Sequence, residues 1–313
     1  MKKVFALALA LVGCAVATEA RAGLVINPTF NANVPVAAQT AFNFAVNEYE
    51  SLFTNNMTVN VNVQFGNTGL GESSPTVLGY YSYSQIRDSL LAQAAANPSD
   101  AVKQTIAANL SATNPAPSNL FFASSANAKA LGLSNFAGSD GTIIFSNSVA
   151  YTYDPNNRAV PGAFDFIGVA EHEIAEILGR IPGLGVDVGQ GPVYDPNDLY
   201  RFTNGVHNFG RDQPDPPGVY FSIDGGATNL VNFYSQSVDN DDYRGDNPTD
   251  PYNQFTGPDQ AHHLNSVDIA NLEAIGYTVA ASVAPEPASL TLLGLGVAGL
   301  AGYNWRRQRL TAK

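Results

Sequence analysis

Apolar residues recur along this chain with two periods, and the periods divide it into elements. Across residues 37–53, Phe42, Ala45, Tyr49, Leu52 and Phe53 fall at helical spacing and predict an amphipathic helix. Residues 57–65 alternate strictly, with Val59, Val61, Val63 and Phe65 on one face, and predict a strand. The Gly/Ser-rich stretch 66–75 reads as a turn region. Ser84 is placed to cap a helix running to Ala96, and residues 101–110 predict another. Residues 119–131 begin strand-like and pass into an Ala-rich helix, while the β-branched and aromatic run 142–153 predicts a sheet strand. The helix predicted over 164–179 is stopped by Gly179, with Pro182 and Gly183 just beyond. Thereafter the pattern turns loop-rich. Residues 219–223 and 229–233 flank Asp224-Gly225-Gly226 as a hairpin, and 239–260 is a polar loop dense in Asp, Asn and Pro. Ser266-Val267-Asp268 caps a last helix that ends at Gly276. With no internal repeat and no linker, this order predicts an α+β domain with a cleft near its middle.

The two ends follow other rules. Lys2 and Lys3, an apolar stretch over 4–17 and the small-x-small site Ala20-Arg21-Ala22 form a cleavable secretory signal, so residues 1–22 are set apart. Leu11-Val12-Gly13-Cys14 has the look of a lipidation site, but the apolar run continues past Cys14 and ordinary cleavage is expected. At the other end, Pro285-Glu286-Pro287 precedes an uncharged, mostly apolar run over 288–304, then Trp305 and Arg306-Arg307-Gln308-Arg309. Such a run reaches about 25 Å as a helix, marginal for a bilayer core of about 30 Å. Arginines directly after it stay cytoplasmic by the positive-inside rule. These three parts in this order resemble the PEP-CTERM sorting tail of Gram-negative bacteria. The resemblance implies a transmembrane sorting helix within residues 282–313, cut by an exosortase near Pro-Glu-Pro, with release or transfer to the cell surface. Signal peptidase and exosortase are thus the expected processing partners, and residues 23–281 the functional domain.

Removing the ends sharpens the charge. Eight basic against twenty-five acidic residues leave the body at −17, a field that repels nucleic acid and anionic lipid. Membrane contact is therefore expected only through the tail. The single cysteine, Cys14, lies in the signal, which excludes mature disulfides and thiol catalysis. No Gly-x-Ser-x-Gly elbow or phosphate loop is present. An acidic body does favour divalent cations.

The chemistry concentrates in Glu171-His172-Glu173-Ile174-Ala175-Glu176-Ile177-Leu178-Gly179-Arg180. At about 100° per residue, His172, Glu176 and Glu173 share an arc of about 100°, and Ile174, Ile177 and Leu178 face the opposite way. A zinc-peptidase helix needs this pattern: metal ligands at i and i+4 and a carboxylate at i+1 within reach of the activated water. Here the second ligand is Glu176 rather than His. An anionic ligand is acceptable to zinc but lowers its effective charge. The third ligand is open between Asp198, His207 and Asp187, with Asp198 preferred because an apolar-aromatic run follows it. The bland alternative is a surface helix on which Glu176 pairs with Arg180 at i+4. Gly179 argues against it by ending the helix and letting Arg180 turn away. Asp239-Asn240-Asp241-Asp242 has some features of a calcium loop, but Gly245 comes late and no closing Glu follows, so a solvated acidic loop is expected there. The adjacent His262 and His263 diverge, with surface placement the default.

The segments DFIGVAEHEIAEILGR, DLYRF, YFSIDGGATNL and NSVDIANLEAIGY, with GLVINPTF and AVNEYESLFTNNMTVNVNV before them, resemble a family of PEP-CTERM-tailed bacterial proteins described as metalloproteases. The resemblance implies a zincin-like fold: a twisted mixed sheet, an active-site helix and a loop-rich C-terminal half. It also implies that an edge strand such as 142–153 lines a cleft for a peptide or protein substrate. The expected function is a zinc-dependent endopeptidase using His172 and Glu176 as ligands and Glu173 as general base. Two rivals stand beside it: an inactive zincin-like binding protein of the surface or matrix, and a structural protein whose acidic loops take calcium.

Overall fold

The computed structural model describes residues 23–210, 218–234 and 240–280. The signal and the sorting tail, including its expected membrane helix, lie outside the described residues. Among the described residues no helix is long and apolar enough to cross a membrane.

In chain order the N-terminal half holds β1 (Leu24–Phe30), α1 (Val36–Leu52), β2 (Met57–Gly66), β3 (Gly71–Pro75), β4 (Val77–Tyr81), α2 (Tyr83–Ala96), α3 (Ala101–Asn109), β5 (Phe121–Ser124), α4 (Ser125–Ala130) and β6 (Gly141–Ser146). The short strands β7 (Tyr151–Thr152) and β8 (Phe164–Asp165) lead into α5 (Phe166–Leu178). Beyond it, among the described residues, come the short strands β9 (Val186–Asp187), β10 (Pro192–Val193), β11 (Arg201–Thr203), β12 (Val206–His207), β13 (Tyr220–Phe221) and β14 (Val231–Asn232), with a 3-10 turn at Asn197–Tyr200. The last helix is α6 (Ser266–Ala274). The protein is α+β with a mixed main sheet, as expected at that level.

The main sheet has the order β1-β2-β6-β3, with β1, β2 and β6 parallel and β3 antiparallel at one edge. Val59, Val61 and Val63 are buried, as their alternation required. Two expectations need correction. Residues 71–75 are a strand, although their Gly and Ser residues are poor strand formers, because β6 supplies a full antiparallel partner from Gly71↔Phe145 to Pro75↔Gly141. The run 142–153 is correspondingly no edge: β6 ends at Ser146 and lies inside the sheet, between β2 and β3. Caps also shift slightly. Ser82 rather than Ser84 starts α2, in a capping box with Gln85, and Asn265 starts α6 in one with Asp268. β13 and β14 pair antiparallel around Asp224-Gly225-Gly226, as the hairpin pattern anticipated.

Helix α5 lies against this sheet so closely that two glycines are required. A Cβ at Gly141 would sit 2.4 Å from Ile177 Cδ1, and one at Gly71 would sit 2.2 Å from Glu173 Oε1. Phe166 at the start of α5 packs 4.4 Å from Phe145, centroid to centroid, and α1 covers the helix from another side. The aliphatic arc of α5 is buried in full, with Ile174, Ile177 and Leu178 at most 1% exposed.

Candidate metal centre

Both ends of α5 are set by side chains and backbone that the sequence makes legible. Asp165 caps the N-terminus by accepting from Ile167 N, and Gly179 closes the C-terminus at φ 115°, a left-handed conformation that favours glycine. Between them His172, Glu173 and Glu176 face a cleft of about 440 Å³. The start of β3 and the two residues before it form one wall through residues 69–73, and the loop carrying Pro251 and Phe255 forms another.

His172 is oriented from behind. Its Nδ1 lies 2.8 Å from Pro251 O, an oxygen that can only accept, so Nδ1 carries the proton and Nε2 is turned into the cleft. Nε2 stands 3.3 Å from Glu176 Oε1 and 3.3 Å from Asp242 Oδ1. Among the described residues, His172, Glu176 and Asp242 place ligand atoms within 4.8 Å of one another. Tetrahedral ligands at about 2.0–2.1 Å from a zinc ion stand about 3.3 Å apart, so both separations suit such an ion, and the donor types suit it too. Ser73 donates to Glu176 Oε2 at 2.6 Å, leaving Oε1 to face His172.

Protonation follows from this crowding. Burial alone would lower the His172 pKa, but Asp242 and Glu176 overcome it and raise it to about 10. Burial likewise opposes ionisation of Glu176, yet His172, Arg180 and Ser73 bring it down to about 2. Asp242 is pushed up to about 6 by burial, against the pull of His172 and Arg180. Glu173 differs from all three. It is buried, Oε2 has no hydrogen-bond partner among the described residues, and burial followed by repulsion from Glu176 holds its pKa well above the usual carboxylate range. A carboxylate that favours its protonated form inside a cleft is suited to taking up a proton.

The structure brings Asp242 beside His172 and Glu176 and places the sequence candidates elsewhere. Asp198 is fully buried, and its Oδ2 accepts from Leu184 N (2.8 Å) and Asp195 N (3.0 Å), clamping a turn. His207 stacks among Phe202 and Phe209, and burial lowers its pKa. Asp187 is exposed and accepts from Gly189 N and Gly191 N. None of the three joins His172 and Glu176. Asp242 reaches them because Tyr243, with no exposed surface, is bridged to Phe233 on one side and to Asn253 on the other. An aromatic directly after an Asp-Asn-Asp-Asp run was the one available hint.

Three further expectations change. Arg180 does not turn away: Gly179 directs the chain so that the guanidinium is buried, 2.6 Å from Asp242 Oδ1 and 3.8 Å from Glu176 Oε1. The acidic loop is not solvated at Asp241 and Asp242, which are buried and paired with Arg201 and Arg180. His262 is buried and lines the cleft, with Nε2 2.6 Å from Thr256 Oγ1, while His263 meets Arg158.

Residues 283–308 match the model of the PEP-CTERM protein-sorting motif. No curated protein and no solved structure matches the chain. The motif marks an exported protein of a Gram-negative bacterium, transiently anchored in the membrane and processed by an exosortase.

Proposed function

We propose that the protein is an exported zinc-dependent peptidase whose centre is held by His172, Glu176 and Asp242. The observation that carries this reading is their convergence in a cleft beside Glu173, with the two 3.3 Å separations noted above. Zinc held there supplies Lewis-acid polarisation of a scissile carbonyl. The chain's own residues do the rest. Glu173 takes a proton from the attacking water and returns it to the leaving amine, a role served by its raised proton affinity. Pro251 and Ser73 keep His172 and Glu176 aimed. β3, the antiparallel edge of the sheet, runs along the cleft and offers its backbone to an extended peptide.

The test is metal analysis of the purified protein beside His172→Ala and Asp242→Ala, with a peptide-cleavage assay on Glu173→Gln. Zinc near one per chain, lost with either ligand, together with cleavage lost in Glu173→Gln, supports the enzyme. A wild-type protein that takes up no zinc sinks it. One observation favours a second reading, a non-catalytic binding protein on the same scaffold: Arg180 already presents a cation to both carboxylates. Zinc uptake without cleavage of any peptide would support that reading.

A further inference from the structure

Arg180 is a buried cation beside two candidate ligands, and its donors are oddly used. Nη1 donates to Asp242 Oδ1 (2.6 Å) and to Asp241 O (3.2 Å). Nε and Nη2 have no hydrogen-bond partner among the described residues, although the side chain has no exposed surface. Nη2 stands 3.8 Å from Glu176 Oε1, too long for a hydrogen bond but close for two charges. The guanidinium carbon lies 4.5 Å from the centroid of the Tyr252 ring. An arginine kept only for structure in a buried place would be expected to spend its five donors on acceptors. Here the geometry spends charge instead.

The formal charges explain what that charge can do. A divalent cation held by two histidines and one carboxylate keeps a net charge of +1 over ion and ligands. With one neutral histidine and two carboxylates, as in His172, Glu176 and Asp242, the net is zero, and the Lewis acidity falls with it. Arg180 restores +1 to the cluster without occupying a ligand position.

We propose that Arg180 is the resident counter-cation of this centre, a positioning residue that offsets the anionic Glu176. It weakens the grip of the three ligands on a divalent cation while preserving that cation's polarising power. The inference rests on the metal-centre reading above. It predicts that affinity and activity move in opposite directions when the charge is removed, whereas a purely structural arginine would lose both together.

The experiment is calorimetric titration of the metal-free protein with zinc alone, for wild type, Arg180→Gln and Arg180→Lys, with circular dichroism to verify folding and peptide cleavage as a second readout. Arg180→Gln, which keeps an amide but drops the charge, is expected to bind zinc about tenfold or more tightly and to lose about tenfold or more in kcat. Arg180→Lys keeps the charge and is expected to stay near wild type in affinity. Equal or weaker binding by Arg180→Gln, with wild type still binding zinc, overturns this inference alone. Failure of wild type to bind zinc overturns the metal-centre reading and this inference with it. Should Arg180→Gln not fold, NMR of arginine Nε–H groups in the unsubstituted protein decides. Zinc is expected to shift the signal that is missing from Arg180→Lys, and an unmoved signal overturns the inference.

Discussion

Two acidic groups, one partly and one wholly buried, lie close together in this protein and use their oxygens in opposite ways. In the cleft, His172, Glu176 and Asp242 turn an imidazole nitrogen and two carboxylate oxygens toward one another, with Arg180 beside both carboxylates and Ser73 on the other Glu176 oxygen. Behind them, Asp195, Asp198 and Asp241 spend their oxygens mainly on the protein itself. Asp195 takes Gly183 N and Asn197 N, Asp198 takes Leu184 N and Asp195 N, and Asp241 takes Asn197 Nδ2 and Arg201. Burial of acid is common to both groups and therefore identifies neither. What separates a candidate metal centre from a structural knot is whether the acceptors converge on one point or are satisfied by backbone N–H groups.

The largest expected effect tests the cleft side of this contrast. Glu173→Gln should reduce peptide cleavage by about 10²–10⁴-fold, the usual contribution of a general base, while zinc content stays at the wild-type level. Retained cleavage would remove Glu173 from the chemistry. Gly71→Ala comes next. Its Cβ would overlap the Glu173 carboxylate, so kcat should fall about 100-fold through misplacement of the base, again with zinc unchanged. Wild-type turnover in that variant would show that Glu173 has room to move.

On the knot side, Asp198→Ala strips the acceptor from two buried N–H groups. It should lower stability by on the order of 1–3 kcal/mol in urea unfolding without altering zinc content. Loss of zinc in a folded Asp198→Ala protein would erase the distinction between the two groups.

The smallest effect is one of pH, read on metal-free protein. Burial and Asp241 raise Asp198 to about 7, so its carboxyl favours folding fully below about 3.9, and that stability is lost as pH rises through 7. Glu176, held at about 2, behaves oppositely: its contribution is present above about 4.3 and is lost as pH falls through 2. Between pH 4 and 7, urea midpoints should decline for wild type and decline less steeply in Asp198→Asn, which cannot ionise, while Asp242 and Glu173 keep part of the slope. Parallel profiles would count against the knot as described.

Local pattern made much of this site legible. The helical period placed His172, Glu173 and Glu176 on one arc, and Gly179 announced where α5 stops. Alternation marked β2 and its buried valines. Other features left little local trace. Gly71-Glu72-Ser73-Ser74-Pro75 reads as a turn because strand formation there depends on β6, which is distant in sequence. Asp198 and Asp242 are both Asp residues in polar surroundings. Nothing near Asp198 says that backbone N–H groups consume its carboxylate, and near Asp242 the aromatic Tyr243 is the one hint that it will be drawn into the cleft. The expectation that Arg180 turns away failed for a related reason. A left-handed glycine ends a helix, but the direction of the next side chain depends on what packs beyond it, here Tyr252 and Asp242.

Alone, the sequence determined the sorting motif near the C-terminus, the acidic body and the helix that carries one imidazole and two carboxylates, because those depend on composition and on short periods. The tertiary structure decided the third acidic partner, the edge strand that walls the cleft and the arginine that shares its charge with both carboxylates. Each depends on which distant segments pack together, and packing is set by burial over the whole chain rather than by any one stretch of it.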